Sequence, residues 1–189
     1  MKTMQMSQKD MERRIARFAR LKPLPIQNAS IPEKARDVVY SRKLLSVIGL
    51  ENANTPINQG APIVGAAGMT MTLAVCPPGQ GPGLHSHRQT YETFTVMQGR
   101  FEVRWNDDGS GSAILGLFDT VSFPPGVCRS FRNVGDEEGI LQVIITGGVH
   151  DMNDIAFSTE AKKQIEAVRP GLSAEFEKAG FTFSIPSRR

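Results

Sequence analysis

The stretch from Met69 to Thr146 is a succession of short segments in which apolar and polar residues alternate. Alternation with a period of two predicts β-strands with one buried face. The segments are separated by turn-forming sequences, such as the glycine- and proline-rich loop 77–83 (PPGQGPG). Short strands at such regular spacing predict an all-β sandwich or barrel. The predicted strands are Met69–Cys76, Tyr91–Met97, Arg100–Trp105, Ala113–Phe118, Val121–Phe123, Val127–Asn133 and Ile140–Thr146.

The N-terminal part of the chain has a different pattern. Met11, Ile15 and Phe18 are spaced four and three residues apart between arginines, which predicts an amphipathic helix over Asp10–Leu21 that docks on protein. A second, short helix is predicted to begin at 30–33 (SIPE), with a proline in its first turn. Residues 43–50 fit either a strand or the end of a helix.

Residues 151–180 are predicted to be helical, with a break at 169–171 (RPG). These patterns divide the chain into an N-terminal helical or extended arm over residues 1–60, a barrel over 61–148 and a C-terminal helical extension over 149–189. We expect the extensions to cross onto a second copy of the chain, which predicts a homodimer.

Composition excludes several classes of function. The chain has 189 residues and a formal net charge of +3, but its basic residues are scattered among acids or grouped in the N-terminal stretch, so we expect no binding to nucleic acid. No window approaches the roughly 20 apolar residues of a membrane span, and the chain start lacks the apolar region of a secretory signal, so we expect a cytoplasmic protein. Two cysteines, Cys76 and Cys128, are too few for a disulfide framework and are expected to be reduced and buried.

Candidate metal ligands follow the glycine-rich loop. His85 and His87 are two residues apart, so on an extended strand their imidazoles share one face. Glu92 lies five positions beyond His87, which is the wrong parity for that face unless a bend at residues 88–90 resets the register. With such a bend, Glu92, Phe94 and Val96 point inward together. Two imidazoles and a carboxylate on a rigid sheet are the outline of a divalent-metal site, although two solvated histidines in a polar turn are the alternative.

The spacing Gly79-x5-His85-x-His87-x4-Glu92-x6-Gly99 resembles the first motif of the cupin superfamily at each defined position. The resemblance covers residues 61–148. It implies a jelly-roll double-stranded β-helix that binds ligands inside the barrel, often as a dimer.

A second cupin motif is matched only in part. Pro124, Gly126 and Asn133 agree with it, but Phe118 stands where its first glycine belongs and Arg129 where its last metal-binding histidine belongs. Because arginine stays protonated and has no lone pair to offer, it cannot be a ligand. The resemblance therefore implies a three-ligand site of His85, His87 and Glu92.

Arg129 leaves two interpretations open. In the first, a divalent ion (Fe, Mn, Ni or Zn) sits on the three ligands, and Arg129 binds the carboxylate or phosphate of a small acidic substrate, as in an oxygenase or decarboxylase. Glu92 and Arg129 are then the candidate catalytic residues. In the second, Arg129 pairs with Glu92, and the metal-free pocket binds or isomerises a sugar-like molecule through histidine acid–base chemistry. A non-catalytic structural or regulatory domain is a third possibility.

Other residues have secondary roles in these interpretations. Phe94 and Phe131 are expected to line the barrel, where they would contact a bound substrate. His150 follows the last predicted strand and is expected to be solvated, although it could supply a replacement ligand or base. The glycine-rich loop lacks the Gly-Lys-Ser/Thr ending of a phosphate-binding loop, so we expect no nucleotide cofactor.

Overall fold

The structure is a computed structural model that describes residues 4–24, 30–50, 60–65, 68–147 and 152–186. Its strands form two six-stranded sheets, ordered β2-β1-β3-β10-β5-β8 and β12-β11-β4-β9-β6-β7. The strands are β1 (Lys43–Gly49), β2 (Ile63–Val64), β3 (Met69–Cys76), β4 (His85–His87), β5 (Tyr91–Gln98), β6 (Phe101–Trp105), β7 (Gly111–Leu115), β8 (Thr120–Phe123), β9 (Arg129–Asn133), β10 (Gly139–Thr146), β11 (Ile155–Ser158) and β12 (Thr182–Ile185).

The two sheets face each other across one hydrophobic core, to which both contribute alternate residues. Phe94 from the first sheet meets Phe131 from the second edge-to-face, with ring centroids 4.9 Å apart. Such a perpendicular arrangement suits the quadrupoles of the two rings. Two facing sheets built from alternating strands confirm the predicted jelly-roll β-barrel.

Both sheets include strands from outside residues 61–148. Residues 43–50, which the sequence left undecided, contain strand β1, and it pairs antiparallel with β3. On the other sheet β11 pairs antiparallel with β4, so that Ile155 lies opposite His87 and Phe157 lies opposite His85. The two predicted ligands therefore have the C-terminal segment as their immediate neighbour.

The predicted continuous helix over Asp10–Leu21 is wrong. The structure has a five-residue helix α1 (Gln8–Glu12), capped by Ser7, and a separate 3₁₀ turn at Phe18–Arg20. Met11, Ile15 and Phe18 are 42%, 36% and 58% exposed, so their apolar stripe is not covered by any part of the chain that the structure describes. Because short helices depend on tertiary packing, this pattern alone does not hold a helix together. The homodimer in which such an arm crosses to a partner stays a prediction.

The helices that have one buried face lie closer to their predicted positions. The predicted second helix is α2 (Glu33–Val39), although Pro32 precedes it as the N-cap. The predicted C-terminal pair is α3 (Thr159–Val168) and α4 (Leu172–Lys178), interrupted as predicted at 169–171. These three helices share a second hydrophobic cluster, which gives each of them a buried face. The prediction was wrong for 155–158, which form β11 instead of helix. None of the helices in the described ranges is long and apolar enough to cross a membrane.

Phe118 occupies a conformation that suits glycine. Its φ is +67°, and its side chain is 69% exposed. The left-handed region costs a side-chain-bearing residue about 1–2 kcal/mol, and burial of the ring contributes little in return. The glycine of the motif that Phe118 replaces would meet this backbone requirement without strain.

Phe118→Gly is therefore expected to stabilise the protein by about 1 kcal/mol, since relief of strain exceeds the entropy that glycine adds to the unfolded chain. Urea unfolding of the purified variant measures this. Leu117→Gly is the matched control, because Leu117 is also exposed, at 56%, and does not have a positive φ. We expect that control to lose stability. Equal losses in both variants would contradict the strain at Phe118.

Candidate metal centre

The parity problem at Glu92 is solved by a change of sheet. His85 and His87 lie on β4 in the second sheet, whereas Glu92 lies on β5 in the first. Residues 88–90 form the bend that carries the chain between them. The inward face of β5 then holds Glu92, Phe94 and Val96, which are 6%, 0% and 0% exposed. The bend and the inward-facing set predicted from the sequence are both confirmed.

The three predicted ligands meet inside the barrel. One ligand atom from each of His85, His87 and Glu92 lies within 4.8 Å of the other two. The distance from His85 Nε2 to Glu92 Oε2 is 3.4 Å, and that from His87 Nε2 to the same oxygen is 3.9 Å. All three side chains are buried.

Both imidazole rings direct the same nitrogen at Glu92. His85 Nδ1 is 2.9 Å from the carbonyl oxygen of Gly83. Because a carbonyl only accepts, Nδ1 carries a proton, and in the neutral form of the ring the lone pair is on Nε2. His87 Nδ1 is 2.8 Å from Thr90 Oγ1. Burial lowers the pKa of His87 to about 3, with Arg129 and His85 adding to that effect while Glu92 and Asp154 oppose it, so the ring is neutral at pH 7.

Arg129 is the other charged residue of the cluster. It lies on β9 directly opposite His85 and is fully buried. Its Nε donates to Glu92 Oε2 at 2.8 Å, and its Nη1 donates to the carbonyl of Val127 at 3.2 Å. Nη2 is buried and has no hydrogen-bond partner among the described residues. One guanidinium N–H edge is therefore left unsatisfied in the barrel interior.

The charge on Arg129 decides the state of Glu92. Burial alone would raise the pKa of the carboxyl group, because it disfavours the charged form. The Arg129 guanidinium is the largest influence that opposes burial, and the pKa of Glu92 lies well below its usual range. Glu92 is therefore an ionised acceptor at neutral pH, as a metal ligand must be.

The remaining predicted site residues differ in where they lie. Phe94 is packed between Phe131 and Phe123, with ring centroids 4.9 Å and 5.7 Å away, in the core of the barrel. The predicted contact of Phe94 and Phe131 with a substrate stays a prediction. His150 lies outside the described residues. Cys76 and Cys128 are free and buried as predicted, and burial raises the pKa of their thiols to about 12 and about 11.

Sequence reasoning missed the groups that surround the two histidines. Thr90 bonds to His87 from within the bend, and its place inside the first motif was the only available signal. Phe157 lies against His85, with ring centroids 5.3 Å apart and planes 30° from parallel. Asp154 is within 3.6 Å of His87 Nδ1. No local pattern marks Phe157 or Asp154, because both reach the site only through the pairing of β11 with β4.

Residues 72–145 match the family model of the cupin domain. This stretch of the chain is a cupin domain. The match confirms the resemblance carried by the two motifs, and it spans the strands that bear His85, His87, Glu92 and Arg129. No curated protein matches the chain.

Several solved structures resemble this cupin domain. KdgF from Halomonas sp. is 17% identical, with a TM-score of 0.42 over 48% of this chain and 78% of that one. The cupin domain of Schizosaccharomyces pombe Cnp3 is 16% identical, with a TM-score of 0.41 over 57% and 73%. A predicted oxalate decarboxylase from Thermotoga maritima is 21% identical, with a TM-score of 0.38 over 41% and 64%. Similarity at this level does not identify a substrate.

Proposed function

We propose that the cupin barrel binds one divalent metal ion through His85 Nε2, His87 Nε2 and the Glu92 carboxylate, together with a small acidic molecule bound by Arg129. One observation carries the proposal. The Nε2 atoms of two buried imidazoles, which carry lone pairs in the neutral Nδ1–H tautomer, face the same carboxylate oxygen at 3.4 Å and 3.9 Å. Lone pairs and an anion repel each other in a low-dielectric interior, and a cation between them turns that repulsion into coordination.

The donor set suits a catalytic type of metal site. Two imidazoles and one carboxylate accept Fe, Mn, Ni or Zn, and such a set leaves open positions for water or substrate. When bound, the metal would supply Lewis-acid or redox chemistry at those positions. The chain's own contribution is a rigid, buried ligand set whose ring tautomers are already fixed.

The unsatisfied donor of Arg129 favours the binding of a small acidic molecule. Its buried Nη2 has no partner among the described residues, and a buried unsatisfied donor costs about 1–3 kcal/mol. A carboxylate from a small molecule would satisfy that donor and offset the positive charge that a metal brings. Within an oxygenase or decarboxylase, Arg129 would orient the substrate carboxylate while Glu92 stays on the metal.

A second candidate function has an observation in its favour. Arg129 already pairs with Glu92 at 2.8 Å, as the metal-free interpretation predicted. In that case the guanidinium is the cation that balances the carboxylate. The pocket would then bind or isomerise a sugar-like molecule, with histidine as acid or base.

Elemental analysis of protein purified without an affinity-tag metal separates the two functions. We expect about one divalent ion per chain, and its loss in His87→Ala and Glu92→Gln because each removes a ligand. Glu102→Gln is the matched control: its carboxylate also pairs with an arginine, Arg104, at 3.1 Å, but on the outer face of the barrel. That variant should keep the metal.

Thermal unfolding with and without oxalate is the second experiment that distinguishes the two functions. The metal-binding function predicts that a chelator abolishes stabilisation by oxalate. The metal-free function predicts a different set of results. The purified protein would contain no metal and take up none on addition, and glucose would stabilise it to the same extent with and without a chelator.

A further inference from the structure

Asp154 is a buried carboxylate beside the cupin site but outside the stretch that matches the family. It is 3% exposed and immediately precedes β11. Its Oδ2 accepts a hydrogen bond from Thr90 Oγ1 at 2.5 Å, and its Oδ1 accepts one from the backbone N–H of Gln89 at 2.7 Å. Thr90 Oγ1 in turn lies 2.8 Å from His87 Nδ1. A hydrogen-bonded chain therefore runs from Asp154 through Thr90 to His87.

The direction of each hydrogen bond in this chain is determined. A carboxylate only accepts, so the hydroxyl hydrogen of Thr90 points at Asp154. The oxygen of Thr90 is then left to accept from His87, and the shared proton must be on Nδ1. A neutral imidazole protonated at Nδ1 has its lone pair on Nε2, which faces Glu92.

We propose that Asp154 and Thr90 are positioning residues that hold His87 as the Nδ1–H tautomer and so keep its Nε2 available to a metal ion. The tautomer itself is a property of the metal-free chain. Only its consequence for metal affinity rests on the proposed function. The C-terminal segment is thereby a working part of the site.

The variant Asp154→Asn isolates this role because it preserves shape while reversing one hydrogen bond. The backbone N–H of Gln89 cannot become an acceptor, so it keeps the amide oxygen of the new side chain facing it. The amide –NH₂ then faces Thr90 and donates to it. Thr90 thereby loses the acceptor of its hydroxyl hydrogen, and we expect that hydrogen to turn toward His87 Nδ1, which becomes an acceptor. The proton moves to Nε2 and removes the lone pair that a metal needs.

Long-range ¹H–¹⁵N spectra of the imidazole rings in chelator-treated protein report the tautomer directly. The His87 signals are assigned from their loss in His87→Gln. We expect Nδ1–H in the wild type and in Thr90→Ser, which retains the hydroxyl, and Nε2–H in Asp154→Asn. Thr90→Val, which cannot relay the bond, should show a mixture of tautomers.

Metal affinity is measured on the same proteins by competition with a chromophoric chelator. Loss of an outer partner of a ligating histidine typically lowers affinity 10–100-fold, and we expect Asp154→Asn to fall in that range with Thr90→Ser close to wild type. Thermal unfolding of the metal-free variants shows whether a loss of affinity merely follows a loss of fold.

The two proposals fail separately. Nε2–H in the metal-free wild type would overturn the positioning role whatever the metal does, and this measurement needs no variant. An unchanged tautomer in folded Asp154→Asn would overturn it as well. If the tautomers are as expected but none of the proteins binds metal, the positioning role stands and the metal-binding function is wrong.

Discussion

Arg129→Met is expected to destabilise the metal-free protein by about 3–5 kcal/mol, because it leaves the Glu92 carboxylate buried without its counter-charge. The pair is 2.8 Å long, with the arginine side chain 0% and the glutamate side chain 8% exposed, so water cannot replace the lost partner. Urea unfolding in the presence of a chelator measures the change.

The double variant Arg129→Met with Glu92→Gln tests the cause of that loss. Removing the charge together with its partner should recover much of the stability, and the double-mutant cycle gives the coupling between the two side chains. Arg104→Met is the matched surface control: Arg104 also pairs with a glutamate but is 53% exposed. Its loss should be below about 1 kcal/mol. A similar loss of unfolding free energy in Arg129→Met and Arg104→Met would show that burial of the Arg129–Glu92 pair adds nothing to its contribution.

Arg129→Met is expected to weaken the fold of the metal-free protein but to strengthen metal binding. Arg129 Nε and the proposed metal compete for one oxygen of Glu92. Arg129→Met should therefore bind a divalent ion more tightly than the wild type. Arg129→His, which restores an imidazole at the position of the motif's last histidine, should bind it more tightly still while losing affinity for oxalate.

Acid is expected to weaken the metal-free protein well before its carboxyl groups titrate. The pKa of His87 is lowered to about 3 in the folded protein, chiefly by burial, against an ordinary value of 6.5. Below pH 6.5 the unfolded chain takes up a proton that the folded chain excludes, so stability falls as pH falls. Between pH 7 and pH 5 this amounts to about 2 kcal/mol.

His87→Gln identifies the source of this acid dependence. Its unfolding free energy, measured by urea titration at several pH values with a chelator present, should lose that part of the slope between pH 7 and pH 5. Glu92 acts at lower pH: its folded pKa is depressed, so its contribution is present above about pH 4.5 and is lost as pH falls further. An unchanged slope above pH 5 in the variant would contradict the neutral, buried state of His87.

The agreement between sequence and structure depends on how local each signal is. Strand alternation and the motif around His85, His87 and Glu92 are local, and the structure bears both out. The bend at 88–90 was predictable because parity required it. The predicted N-terminal helix was wrong because its apolar stripe has no packing surface among the residues that the structure describes.

The contacts of Asp154 could not be predicted from the local sequence. It bonds to Thr90 across 64 residues of sequence, and nothing near it distinguishes it from a solvated acid in a loop. Its role follows from the pairing of β11 with β4, a tertiary contact that no spacing rule encodes. Likewise, the sequence posed the Arg129 alternatives, but only the geometry shows one guanidinium edge bonded to Glu92 and another without a partner among the described residues.

The pairing of β11 with β4 also has a consequence for biosynthesis. His85, His87, Glu92 and Arg129 leave the ribosome long before Asp154 and Phe157, which support the two imidazoles. A nascent chain that has completed its β10 strand therefore has every candidate donor atom, and also Gly83 and Thr90 beside the rings, but it lacks Asp154 and Phe157. On the proposed function, a chain in which β11 has not yet paired with β4 should therefore bind a metal ion more weakly than the folded protein.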